Sequence, residues 1–209
     1  MTSEYSQQRL RRDALPLDPL DLFAAWRETA GQTEPWGGAA MVLSTVSRDS
    51  RPSSRVVLLR SVDGGGFQFF TNYESRKGGE LDVNPACSLV FWWPSQVRQV
   101  RVEGLAARLP AAVSDAYYAS RSRASRIGAW ASPQSTVIDS RAALESLVSE
   151  AEVRFADGDV SRPPHWGGYG VVPRRIEFWQ GGEARLHDRF CYTRADDSGN
   201  AWIITRLAP

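Results

Sequence analysis

Apolar residues along the chain switch between two periods, and the switches mark out its elements. Leu20, Phe23, Ala24 and Trp26 recur at helical spacing after Asp18-Pro19, an N-cap with proline at the first helical position. This predicts a helix reaching about Thr29, broken by Gly31 and Gly37-Gly38. Short runs rich in Val, Leu and Phe follow at Ala40–Val46, Ser54–Ser61 and Phe67–Thr71, the last two joined by the turn-forming Asp63-Gly64-Gly65-Gly66. Ser75–Val83 predicts a short helix capped by Ser75, and Cys87–Trp93 with Val97–Leu109 predicts a hairpin broken at Pro94. Two helical stretches come next, Ala111–Ser122 and Ser140–Phe155, the second with Leu144, Leu147, Val148, Ala151 and Phe155 at helical spacing. Strand character returns in Gly167–Val172, Arg175–Gln180, Phe190–Arg194 and Trp202–Leu207, with Asp197-Ser198-Gly199-Asn200 as a turn.

Strands that follow one another mostly through turns predict an antiparallel sheet or barrel rather than βαβ units. The expected architecture is mainly β with peripheral helices, one barrel-like domain over residues 18–209, preceded by a polar, basic and mobile arm over residues 1–17. With 209 residues, 42% of them hydrophobic, the chain is long enough to bury a core without covalent staples. Its net charge of +1 provides no global field for nucleic acid or an anionic membrane, so any anion must be held by local cations. No apolar run approaches membrane-span length and the N-terminus has no apolar leader, which predicts a cytoplasmic protein. Cys87 and Cys191 lack metal-site spacing and sit in apolar runs, as buried thiols do.

The sequence has no nucleophile elbow, no phosphate loop of the GxxxxGK[ST] type, no GxGxxG opening a helix, and only two distant histidines, His165 and His187. Cationic and amide groups at strand ends stand out instead. Thr71, Ser75, Arg76 and Lys77 cluster where a strand passes into a helix, a combination suited to seating a phosphate or equally to a solvated turn. Arg55 and Arg60 bracket an apolar strand, Gln99 lies between Arg98 and Arg101, and Gln134-Ser135 follows a loop at residues 128–132. Tyr117 and Arg121 share one helix face just before Ser125 and Arg126, a second anion seat or a solvated helix end. Trp179, Arg185, His187 and Arg189 fall at odd positions, and the last three share a face if residues 185–190 are extended. Eight tryptophans, four of them (Trp36, Trp130, Trp166 and Trp179) in polar, glycine-rich or arginine-rich company, modestly favour a flat aromatic ligand over core packing alone.

The segments RVVLLR, FFTNYESRKGGEL, RQVRVEG, YYASRSRASRIGAWASPQS, WGGY, IEFWQGGEARLHDR and RLAP together resemble the pyridoxamine 5′-phosphate oxidase family, in order and from about Tyr5 to Pro209. The resemblance implies an FMN-binding split β-barrel and a homodimer with flavin at the subunit interface. It implies a flavin set of Arg55, Phe70, Thr71, Arg76, Lys77, Gln99, Gln134, Ser135, Trp179 and Arg189, and a substrate set of Tyr5, Arg60, Tyr117, Arg121, Ser125, Arg185 and His187. The implied reaction passes hydride from C4′ of pyridoxine or pyridoxamine 5′-phosphate to the flavin, with Arg185 and His187 flanking the reacting ring and dioxygen reduced to hydrogen peroxide. The flavin set is intact in type, whereas the substrate region departs from the family pattern. Arg60 replaces a lysine, Ser122 a proline and Arg126 a glutamine, and Thr2-Ser3 stand where some members carry two arginines.

Those departures keep alternatives open. The phenazine-forming flavin oxidases, whose reduced tricyclic acids carry carboxylates in place of phosphate, would suit an arginine at position 60. A non-catalytic carrier of flavin or pyridoxal phosphate is the reading from another class, and retention of Arg185 and His187 speaks against it.

Overall fold

The structure, a computed structural model, describes residues 9–64, 66–196 and 201–209. Nine strands form one antiparallel sheet: β1 (Ala40–Val46), β2 (Pro52–Leu58), β3 (Ser61–Asp63), β4 (Gly66–Asn72), β5 (Ala86–Trp93), β6 (Arg98–Arg108), β7 (Trp166–Gln180), β8 (Asp188–Arg194) and β9 (Trp202–Leu207). Their order is β2-β1-β5-β6-β7-β4-β3. The path closes on itself because β2 runs almost directly into β3. The Leu59 N–H still donates to Ala39 on the β1 side, while the next N–H, of Arg60, donates to Gln68 on β4.

The fork lies on β7. Its first half pairs with β4 from Trp166 to Val171, its second half pairs with β8 from Arg175 to Gln180, and β6 runs along both. Sequence periodicity predicts two strands here, separated near Pro173. The chain instead continues through a register shift opposite Glu103/Gly104, which accommodates the proline without ending the strand. This is the split barrel that the family resemblance implies.

Alternation explains what fills it. On β6, Val100 and Val102 point inward with no exposure while Gln99, Arg101 and Glu103 point outward. The helices α1 (Pro19–Thr33), α2 (Arg76–Val83), α3 (Ala111–Ala119), α4 (Arg123–Ala131) and α5 (Arg141–Arg154) lie around the barrel. Asp18 caps α1 by accepting from the Leu20 N–H, and α1 continues past the expected Thr29 to Thr33. Its Phe23 packs edge-on to Phe67 and Phe91, with centroids 4.9 and 5.0 Å away. Trp26 meets Phe178 at 5.3 Å.

The segment expected to be a loop at residues 128–132 is helix α4 up to Ala131, with Ser132 as its C-cap. Ser122 accepts from the Ser125 N–H as its N-cap, and Ile127 and Ala131 bury against Ala151 and Val160 in a small second core. Tertiary packing therefore overrides the glycine at position 128. Of the expected N-terminal arm, residues 9–17 run along the body. The Leu10 N–H donates to Asp188, and the Pro16 carbonyl accepts from the Tyr192 hydroxyl. Tyr5 and the turn at 197–200 lie outside the described residues.

Candidate functional site

Eight of the expected site residues line one cavity of about 370 Å³: Arg55, Arg60, Phe70, Thr71, Lys77, Tyr117, Arg121 and Gln134. Two strands, two helices and the turns beside them bring them there. Barrel closure carries Arg55 and Arg60 on and just beyond β2. Strand β4 presents Phe70 and Thr71, and α2 begins immediately after it with Ser75 as cap. Helix α3 supplies Tyr117, and the turn after it supplies Arg121.

The polar end is built around Lys77. Its Nζ donates to Thr71 Oγ1 at 3.0 Å and to Gln134 Oε1 at 2.7 Å. Burial, and then the charge of Arg55, push this ammonium down to about 8. Below it sits Glu80, which sequence reasoning missed although it stands one helical turn after Arg76. Glu80 is 6% exposed and accepts from Thr45, from Ser53 at 2.7 Å, and from Arg55 and Arg76 at 3.3 and 2.9 Å. Burial alone would raise its carboxyl, but the hydroxyls of Ser53 and Thr45 and the Arg76 guanidinium outweigh it and hold the group at about 2. A permanent carboxylate thus fixes two of the cations expected to hold flavin phosphate.

The other end is aromatic. Phe70 stacks on Tyr117 with centroids 4.0 Å apart and on Trp166 at 5.6 Å. Gly168 permits this, since a Cβ there would collide with the Phe70 ring. Arg60 lies 5.4 Å from the Tyr117 centroid and Arg121 lies 4.7 Å from that of Trp166, so each guanidinium covers a ring. Arg121 Nη1 is buried without a hydrogen-bond partner among the described residues. Burial lowers this guanidinium below its ordinary value, with Tyr117 and Tyr118 opposing and the charge of Arg60 adding to the shift. A buried, unsatisfied donor among further cations, with no carboxylate among the described lining residues, fits a phosphate-bearing planar ligand such as FMN.

The remaining residues fall into two places. Near the cavity, Ser135 follows Gln134 with a left-handed φ of 75°, and Ser125 accepts at its hydroxyl from Ser122, 2.8 Å away. The two nearby departures take structural roles: Ser122 caps α4, and Arg126 pairs with Asp159 at 2.5 Å. Among the departures in the described residues, Arg60 reaches the cavity.

Gln99, Trp179 and Arg189 form a second cluster, adjacent in register across β6, β7 and β8. His187 joins them, its ring 4.5 Å from Trp179 and its Nδ1 accepting from the Gly182 N–H at 3.1 Å. The expected extended segment 185–190 is not extended throughout. A 3-10 turn covers Glu183–Arg185, Arg185 has φ 62°, and β8 begins only at Asp188. Arg185 therefore does not share a strand face with His187 and Arg189. Left-handed backbone at Ala184 and Arg185 and the Leu186 N–H donating to Glu183 fold this piece back on itself. None of this second cluster lines the central cavity.

Two family profiles match the chain: "Pyridoxamine 5′-phosphate oxidase" over residues 38–155 and "Pyridoxine 5′-phosphate oxidase C-terminal dimerisation region" over residues 166–209. A pyridoxine/pyridoxamine 5′-phosphate oxidase of Ectopseudomonas mendocina is 50% identical over 211 residues, covering 100% of this chain and 97% of the relative. One from Salinibacter ruber is 48% identical over 210 residues, again with 100% and 97% covered. Among solved structures, PhzG of Burkholderia lata in complex with tetrahydrophenazine-1-carboxylic acid superposes with a TM-score of 0.89 at 31% identity, over 99% of this chain and 100% of that one.

Proposed function

Because the chain belongs to the pyridoxamine 5′-phosphate oxidase family, we propose that it is an FMN-dependent oxidase converting pyridoxine or pyridoxamine 5′-phosphate to pyridoxal 5′-phosphate. The supporting observation is the cation set of the central cavity, where Arg55, Arg60, Lys77 and Arg121 meet with no carboxylate among the described lining residues. Two phosphates of roughly −2 charge each call for about such a set. Lys77, Arg55, Arg76, Thr71, Gln134 and Ser135 hold the flavin phosphate. Arg60, Tyr117, Arg121 and Ser125 hold that of the substrate.

When bound, FMN supplies the two-electron acceptor for the substrate C4′–H, and dioxygen restores it with release of hydrogen peroxide. The protein orients and excludes. Phe70 and Trp166 give the cavity flat apolar walls, and Arg121 and Arg60 fix the substrate phosphate so that the reacting carbon is held in place. His187 accepts at Nδ1 from the Gly182 N–H, which orients its ring toward the substrate. Within one chain the Trp179–His187–Arg189 cluster lies apart from the central cavity. That separation supports a homodimer in which each cluster completes its partner's cavity, in keeping with the match to a dimerisation region. Both cysteines are free and buried, as suits a reducing cytoplasm.

A second reading rests on the superposition with PhzG and on Arg60, whose fork suits a carboxylate: oxidation of a reduced phenazine-type acid. One experiment separates the two. The purified protein is assayed for peroxide release with pyridoxine 5′-phosphate, pyridoxamine 5′-phosphate and a dihydrophenazine carboxylic acid, and its chromophore is identified by mass spectrometry. Turnover of the B6 phosphates with FMN released supports the first reading. Turnover of the tricyclic acid alone establishes the second, and FAD or no flavin after reconstitution defeats both.

A further inference from the structure

Glu177 has no part in the family's expected flavin or substrate sets, yet it is the most buried acidic side chain on the face that carries them. It points outward from β7 beside Trp179 and is nevertheless only 2% exposed, because guanidinium groups cover it. Arg189 Nε and Nη2 both bond its Oε1, at 2.9 and 2.8 Å, while Arg101 and Arg175 stand 3.5 Å from Oε2. A carboxylate this buried is tolerated only when paired, and here the pairing converges on one arginine.

Donor counting shows what this does to Arg189. A guanidinium has five N–H donors in a rigid fork. Glu177 takes the Nε donor and one on Nη2, and the Ala208 carbonyl takes one on Nη1 at 2.8 Å. One donor on each terminal nitrogen remains. Arg189 is therefore held from two sides, by a buried carboxylate and by the backbone of the RLAP segment, with a forked pair of donors left over.

We infer that Glu177 is a positioning residue that presets Arg189 for the flavin, with the Ala208 carbonyl as the second fixed point. This rests on the assignment of Arg189 to the flavin set. Without Glu177 the guanidinium must choose its orientation when ligand binds, against repulsion from Arg101 and Arg175, whose shared partner Glu103 offsets it only in part. The ordering cost then falls on flavin affinity.

The test is a double-mutant cycle on FMN binding by apoprotein, read by quenching of flavin fluorescence and by the circular dichroism of the bound flavin. Glu177→Gln should weaken FMN roughly tenfold in the wild-type background and less than about twofold in the Arg189→Ala background, as expected of a residue acting only through its partner. A loss of the same size in both backgrounds would overturn the inference and leave Glu177 a general structural residue. Wild-type protein that binds no FMN would instead defeat the family assignment of Arg189, a distinguishable failure. If Glu177→Gln does not yield folded protein, Glu177→Asp, which keeps the charge but withdraws it by one methylene, runs the same cycle with the same expected asymmetry.

Discussion

Lys77 and Gln134, 57 residues apart, meet through a 2.7 Å hydrogen bond in which the ammonium donates to the amide oxygen. The contact joins the start of α2 to the turn after α4 and sets the polar end of the cavity. Because burial and the Arg55 charge bring Lys77 down to about 8, its charge is lost as pH rises through about 8 unless an anion arrives. FMN affinity should hold steady between about pH 7 and 8, where the phosphate is already dianionic, and fall by roughly tenfold per unit above 8, because the bound phosphate raises the pKa that must be overcome. The ligand-free protein behaves oppositely. Its unfolded state holds the Lys77 proton up to 10.5, so apoprotein stability rises with pH between 8 and 10.5. Titrating apoprotein with FMN and with riboflavin at pH 7 and 9 checks the first expectation. Equal weakening of both ligands would remove Lys77 from the phosphate.

Glu80 should contribute both stability and site geometry. Its folded carboxyl lies at about 2 against an ordinary 4.5, so its contribution is fully present above 4.5 and is lost as pH falls towards 2. Glu80→Gln leaves Arg55 and Arg76 without their shared partner and should cost about 3 kcal/mol at pH 7. Urea melts of both proteins should show that deficit shrinking between pH 5 and pH 3. A deficit independent of pH would mean the charge is not its source.

Arg121→Ala removes a buried guanidinium from the proposed substrate phosphate while the Lys77 cluster stays intact. The expected loss is about 2–3 kcal/mol, on the order of a hundredfold in kcat/KM for pyridoxine 5′-phosphate, with FMN content unchanged. Steady-state kinetics together with the flavin-to-protein absorbance ratio decide it. Loss of flavin in this variant would merge the two anion seats into one.

Gly182 lets the bend at Ala184 and Arg185 return closely enough against the chain to aim His187. A Cβ at this position would run into the Leu186 carbonyl, so Gly182→Ala must push that segment and loosen the Gly182–His187 hydrogen bond. Turnover should fall about tenfold or more with thermal stability little changed, since the bend lies at the rim of the sheet. Wild-type turnover in this variant would argue that His187 need not be held.

Two copies should assemble around the flavin. Light scattering at micromolar concentration should give a mass near twice 23.2 kDa, and Trp179→Ala should weaken FMN binding although Trp179 lines no part of its own chain's central cavity. A flavin-loaded monomer would contradict the shared site.

Much of the fold is legible in the chain because it is decided by neighbours in sequence. Strand β1 occupies Ala40–Val46 as alternation predicts, β9 runs from Trp202 to Leu207, and Ser75 caps α2, since side-chain alternation and capping act within a few residues. The cationic clusters at Arg76-Lys77 and Tyr117–Arg121 are likewise visible as local groupings. That they face one cavity is not visible, because it depends on β2 passing into β3 and closing the barrel, with Gly168 letting Phe70 lie against β7. Helix α4 escapes sequence reading because its evidence is the core it shares with α5. The fold-back before β8 escapes because two residues take left-handed backbone at positions without glycine. Glu80 and Glu177 look in sequence like ordinary surface acids. Only tertiary packing, by withdrawing them from water and surrounding each with arginine, turns them into the fixed points on which the candidate site is built.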